Sequence, residues 1–144
     1  MKKLLVVEDE VGLAFILQKT IKRDEYRIVD MVFNGQAAIA AAKKHRPDVI
    51  LMDIRIRGPL DGVDAAMEIR RFSDAPIIYL TAFLDPVNEA RVQQTAHSTC
   101  LVKPVTAQQL NAHIRSVLEP APRASVTKIV EDALDEYHTA NDVS

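Results

Sequence analysis

The chain has 144 residues, 48% of them hydrophobic, with 18 basic against 20 acidic side chains for a net charge of −2. That length and apolar content suit one domain with an aliphatic core, since Trp is absent and other aromatics are few. The near-neutral charge argues against a general nucleic-acid binder, the lone Cys100 excludes an internal disulfide, and no apolar run approaches the roughly 20 residues of a bilayer-spanning helix.

Met1-Lys2-Lys3 leads straight into a short strand pattern, not into a signal peptide, so a cytoplasmic protein is expected. Five apolar runs follow at intervals: Leu4–Val7, Ile28–Phe33, Val49–Met52, Ile77–Leu80 and Cys100–Val102. They are nearly continuous rather than alternating, as parallel strands covered on both faces require. The stretches between them carry helical spacing. Leu13, Ile16, Leu17 and Ile21 form one stripe. Ala38, Ala41, Ala42 and His45 form the next, behind an Asn34 cap. Val63, Ala66, Met67 and Arg70 follow an Asp61 cap, with Arg70 as the polar edge. Asp85-Pro86 opens a helix to about Ala96. Thr106-Ala107-Gln108-Gln109 has capping-box spacing ahead of Leu110, Ile114 and Val117. Pro120 and Pro122 then break the pattern, and a sixth helix is predicted from Ser125 to about His138 with Val126, Ile129, Val130, Ala133, Leu134 and Tyr137 on one face.

A βα unit repeated five times predicts an α/β fold: a doubly wound parallel sheet of five strands with right-handed crossovers and helices on both faces. Ligands of such sheets bind beyond the carboxyl ends of the strands. The polar signals fall there. Glu8-Asp9 follows the first run, Asp53 closes the third, Thr81 the fourth, and Lys103 follows the fifth. A carboxylate such as Asp53 is costly at the end of an apolar run unless something binds it. Two or three acids, a hydroxyl and an ammonium at four strand ends suit one site for a metal and a phosphoryl group.

From about residue 2 to residue 119 the chain resembles the receiver domain of two-component response regulators. The resemblance rests on Val7-Glu8-Asp9-Glu10, Leu51-Met52-Asp53, Asp61-Gly62, Leu80-Thr81-Ala82 and Val102-Lys103-Pro104, in that order. It implies a flavodoxin-like (βα)5 fold over residues 1–119, with 120–144 as a Pro-containing linker and extra C-terminal amphipathic helix. It implies Asp53 as phosphoacceptor, Thr81 as switch hydroxyl and Lys103 as the contact to phosphoryl oxygens. Mg²⁺ would be held by Glu8, Asp9, Asp53 and the backbone carbonyl of Arg55. The Lys103-Pro104 peptide is expected to be cis. The implied function is a stand-alone receiver, not a classical enzyme, that takes a phosphoryl group from a histidine kinase or a histidine phosphotransfer protein. It would signal by protein contacts, with no direct nucleic acid or membrane and with a homodimer as one option. The alternatives are a phosphorelay intermediate and a phosphorylation-independent binding module.

The chain departs from the family pattern in places. Cys100 stands where an aromatic is usual, three residues before Lys103. The stretch from Arg55 to Leu60 is one residue longer than the common loop and puts two arginines beside the site. Phe83, two residues after Thr81, is expected to shield the phosphoryl group from water and slow its loss. A phosphatase with an aspartyl nucleophile is disfavoured, because it needs an acid two residues on, where Arg55 stands. The four histidines, at positions 45, 97, 113 and 138, show no ligand spacing and read as surface residues.

Overall fold

Side chains alternate across a strand, so a run of consecutive apolar residues feeds two cores at once. In the computed structural model, which describes residues 1–21 and 24–119, the runs become β1 (Lys2–Val7), β2 (Tyr26–Val32), β3 (Val49–Asp53), β4 (Ile77–Thr81) and β5 (Ser98–Val102). Between and after them lie α1 (Val11–Thr20), α2 (Gly35–His45), α3 (Gly62–Ile69), α4 (Pro86–Gln93) and α5 (Ala107–Leu118). All strands are parallel, in the order β2-β1-β3-β4-β5. Leu5, Val7, Ile50, Met52, Ile77 and Tyr79 face one way, against α2, α3 and Val92 of α4. Leu4, Val6, Val49, Leu51, Ile78 and Leu80 face the other, against Ile21, Leu110 and Ile114. Burying each of the Val, Leu, Ile and Met side chains among these contributes roughly 1.5–3 kcal/mol.

The caps expected from sequence form. Asn34 accepts from the Ala37 amide at 2.8 Å and Asp85 from the Asn88 amide at 2.7 Å. Thr106 and Gln109 make a reciprocal capping box, and so do Asp61 and Asp64. Other expectations shift. Ile16 is 60% exposed instead of core-facing, and Met67 turns outward while Ala65 and Ile69 take its place in the core. Helix α4 stops at Gln93, short of Ala96, and Thr95 turns inward and is buried. Phe33 lies just past the end of β2 and is exposed. The expected linker and helix over 120–144 lie outside the described residues, as does His138.

Gly62 brings α3 close to the end of β3. Its amide donates to the Ile54 carbonyl at 2.7 Å. A Cβ there would overlap the Asp53 carbonyl oxygen and lie 2.9 Å from the Asp53 carbonyl carbon and the Ile54 Cα. Only glycine permits this approach.

Candidate phosphoryl and metal site at the strand ends

Parallel strands place their carboxyl ends on one edge, so polar residues far apart in sequence converge there. Glu8 and Asp9 leave β1, Asp53 ends β3, Thr81 ends β4 and Lys103 follows β5. Lys103 Nζ donates to Glu8 Oε2 at 3.0 Å and to Asp53 Oδ2 at 3.1 Å. Asp53 Oδ1 accepts the Arg55 backbone N–H at 3.1 Å, and Glu8 Oε1 accepts the Glu10 N–H at 3.2 Å. One carboxylate oxygen from each of Glu8, Asp9 and Asp53 lies within 4.8 Å of the others. These three acids are the candidate metal cluster found among the described residues.

Two of the three carboxylates, Glu8 and Asp53, share the Lys103 ammonium, and the proton affinities follow from that. Burial pushes the Glu8 carboxyl above its ordinary value, the Asp53 charge adds to the rise, and Lys103 only partly offsets it. Burial pulls Lys103 down, but its hydrogen bond to Glu8 and the charges of Asp53 and Glu8 outweigh that and hold it above its ordinary value. The cluster is thus short of positive charge, and its oxygens are hard donors of the kind a divalent cation takes.

The other expected residues divide. Thr81 is buried at the tip of β4, but its hydroxyl donates to the Phe83 carbonyl at 3.1 Å instead of to Asp53. The Thr81 carbonyl accepts the Lys103 amide at 2.7 Å, which ties the fourth and fifth strand tips together. The Lys103-Pro104 peptide is cis. The Phe83 side chain is 61% exposed. Arg57 reaches Asp9 at 3.6 Å, while Arg55 points to Asp85 at 3.9 Å. Cys100 is half-buried, pairs in register with Tyr79 and packs against the core there, and burial pushes its thiol up.

Two networks beside the site gave no signal in the sequence. Arg91 on α4 holds Asp61 through Nη1 at 2.6 Å and Nη2 at 3.0 Å, and reaches Asp64 at 3.0 Å. Burial would lift Asp61, but the Arg91 and Asp64 hydrogen bonds hold its carboxyl below the usual range. The Tyr79 hydroxyl on β4 pairs with Oγ1 of Thr95, just past the end of α4, at 3.0 Å, both side chains buried. Neither pairing follows a local spacing; each needs the fold. Of the histidines, His45 is half-buried 3.6 Å from Asp30, His97 is exposed, and His113 lies 2.7 Å from Thr99.

A sequence profile of the response regulator receiver domain matches residues 4–115. The chain belongs to that family. The receiver is 34% identical over 109 residues to the transcriptional regulatory protein PdtaR of Mycobacterium tuberculosis, across 76% of this chain and 53% of that protein. It is 32% identical over 124 residues to a probable transcriptional regulator ycf27 of Porphyridium aerugineum, across 86% of this chain and 51% of that protein. The receiver thus spans about half the length of these curated relatives. Among solved structures it resembles the Vibrio cholerae chemotaxis protein CheY4 (TM-score 0.74, 26% identity, 82% of this chain and 99% of that one). It also resembles the receiver domain of the Pseudomonas aeruginosa sensor histidine kinase PA1611, solved with a magnesium ion coordinated in its active-site cleft (TM-score 0.70, 28% identity, 81% of this chain and 97% of that one). No helix among the described residues is long and apolar enough to cross a membrane.

Proposed function

We propose that this receiver accepts a phosphoryl group on Asp53 from a phosphohistidine donor and signals through protein contacts. The observation that carries this reading is the Lys103 ammonium bridging Asp53 and Glu8 inside a three-carboxylate cluster. Asp53 Oδ2 is the nucleophile; attack on phosphorus forms an acyl phosphate and releases the donor imidazole. Lys103 already lies within hydrogen-bond distance of that oxygen and supplies positive charge where the phosphoryl oxygens arrive. The Arg55 amide orients the other oxygen, Oδ1.

Glu8, Asp9 and Asp53, with the Arg55 carbonyl, would hold Mg²⁺, whose hard-oxygen preference matches this donor set. When bound, the ion neutralises the acids and the incoming phosphoryl oxygens. Arg57, 86% exposed, contacts Asp9 loosely and can give way to a stronger cation.

A phosphoryl group adds nearly two negative charges and three strong acceptors. The Thr81 hydroxyl then has a better acceptor than the Phe83 carbonyl. Its rotation would release the loop leading to α4 and shift the population of conformers on that face. A histidine kinase or histidine phosphotransfer protein is the proposed donor, residues 1–119 the proposed receiver unit, and the cytoplasm the proposed setting.

The test is intact mass after incubation with Mg²⁺ and a small acyl-phosphate donor. One phosphoryl mass is expected with Mg²⁺, and none with a chelator. Equal gain in both would contradict the metal's role, and no gain under either condition would contradict the reading.

A further inference from the structure

The capping box that opens α3 is built from two acids. Asp61 Oδ1 accepts the Asp64 N–H at 2.9 Å, and Asp64 Oδ2 accepts the Asp61 N–H at 3.1 Å. A box of this kind ordinarily sets a hydroxyl against a glutamate or glutamine, as Thr106 and Gln109 do at α5. Two carboxylates so placed repel each other, although the positive end of the helix favours each of them. The pair needs a counter-ion, and the fold brings one from α4. Arg91 donates through Nη1 to Asp61 Oδ2 at 2.6 Å, and through Nη2 to Asp61 Oδ1 and Asp64 Oδ1, both at 3.0 Å. Asn88 Oδ1 accepts a further bond from Nη1 at 3.0 Å and helps to aim the guanidinium.

This box holds the turn of helix that backs the phosphoacceptor. Gly62 follows Asp61 directly, and its amide donates to the Ile54 carbonyl at 2.7 Å. It stands so close that a Cβ there would overlap the Asp53 carbonyl oxygen. The same segment carries the Arg55 amide that orients Asp53 Oδ1 at 3.1 Å. Loosening the first turn of α3 therefore loosens the backbone on which the Asp53 carboxylate is mounted.

We propose that Arg91 is a positioning residue for phosphoryl transfer: it neutralises the doubly anionic box, fixes the first turn of α3, and through Gly62 fixes Asp53. The proposal deepens the phosphoryl reading and rests on it. The side-chain bonds of Arg91 go to Asp61, Asp64 and Asn88, and not to Glu8, Asp9, Asp53 or Lys103. Its loss should therefore lower the maximal rate of phosphoryl uptake and leave the half-saturating concentrations of Mg²⁺ and donor unchanged. Because Arg91 acts by cancelling charge, removing one of the two acids should substitute for it.

The full chain tests this as parent, as Arg91→Met, and as Arg91→Met with Asp64→Asn, whose amide oxygen can still accept the Asp61 N–H. Uptake from acetyl phosphate with Mg²⁺ is followed by intact mass, and hydrogen exchange at the Gly62 amide by NMR without any phosphoryl donor. Arg91→Met should cut the maximal uptake rate about tenfold and speed Gly62 exchange about tenfold. Adding Asp64→Asn should bring both back to within about threefold of the parent. Unchanged Gly62 exchange or a normal uptake rate in Arg91→Met would overturn the proposal, and so would a loss that Asp64→Asn does not recover. If Arg91→Met alone does not fold, the double variant decides by the same recovery. A parent chain that gains no phosphoryl group fails the phosphoryl reading itself, whereas a parent that gains it as fast as its Arg91→Met variant fails only the role of Arg91.

Discussion

Replacing Gly62 by alanine should damage both the fold and the site. The added methyl would overlap the Asp53 carbonyl oxygen and sit 2.9 Å from two further backbone atoms, so no side-chain rotation can relieve it. Carbon contacts settle at about 3.5–4.0 Å, so the start of α3 must retreat by roughly an ångström or more. That retreat stretches the 2.7 Å bond from the Gly62 amide to Ile54. Overpacking of this kind costs about 1–3 kcal/mol, and unrelievable backbone contact belongs at the top of that range. The intrinsic gain of alanine over glycine in a helix returns less than about 1 kcal/mol. A net loss of about 2 kcal/mol is expected in urea unfolding with an unchanged slope. Gly12→Ala is the control. It lies in α1 with nothing within 4 Å of the added methyl, so it should gain about 0.5–1 kcal/mol. Because Gly62 abuts the backbone of Asp53, displacement by an ångström should also slow phosphoryl uptake by about 100-fold. A Gly62→Ala variant as stable as Gly12→Ala, with normal uptake, would refute the reasoning.

Other perturbations follow from the same geometry. Lys103→Met strands the buried Glu8 beside Asp53, and should cost about 3 kcal/mol at pH 8 and less at pH 5, where Glu8 can take a proton; equal losses at both pH values in urea melts would count against the shared ammonium. Arg57→Ala removes an exposed competitor for Asp9, so Mg²⁺ affinity measured by titration should rise by up to about fivefold, and a fall would show that Arg57 assists instead. Burial pushes the Tyr79 hydroxyl from 10.0 to about 12, so the folded state holds that proton more tightly than the unfolded one. Its stabilisation is full below pH 10.0 and is lost as pH rises through about 12, a fall of roughly 2.7 kcal/mol at 1.36 kcal/mol per unit. Tyr79→Phe should therefore be about 1 kcal/mol less stable than the parent at pH 8, from the lost Thr95 bond, yet overtake it toward pH 12; parallel pH curves would exclude this.

The sheet was legible because its signal is local. Runs such as Val49–Met52 have no polar face, and caps at Asn34, Asp61, Asp85 and Thr106 mark the helix starts. The grouping of the candidate site was legible because parallel topology carries every strand end to one edge, which brings Glu8, Asp9, Asp53 and Lys103 together with Thr81 at the neighbouring tip. Ile16 and Met67 misled because helical spacing identifies a stripe but not its width, and both lie on its margin. Arg91 and Thr95 were invisible for another reason. Their partners, Asp61 and Tyr79, are 30 and 16 residues away, and only the folded chain makes them neighbours. The Thr81 hydroxyl bond to Phe83 is likewise a rotamer choice that no spacing encodes.

The central claim is that the Asp53 carboxylate itself takes the phosphoryl group as an acyl phosphate. Borohydride reduces an acyl phosphate to the alcohol, so trapping after Mg²⁺ and a phosphoryl donor, followed by peptide sequencing, reads the position directly. Homoserine at residue 53 and nowhere else, absent in Asp53→Asn, is the predicted result. Reduction product at position 8 or 9, or a phosphorylated chain whose residue 53 stays aspartate, would contradict it.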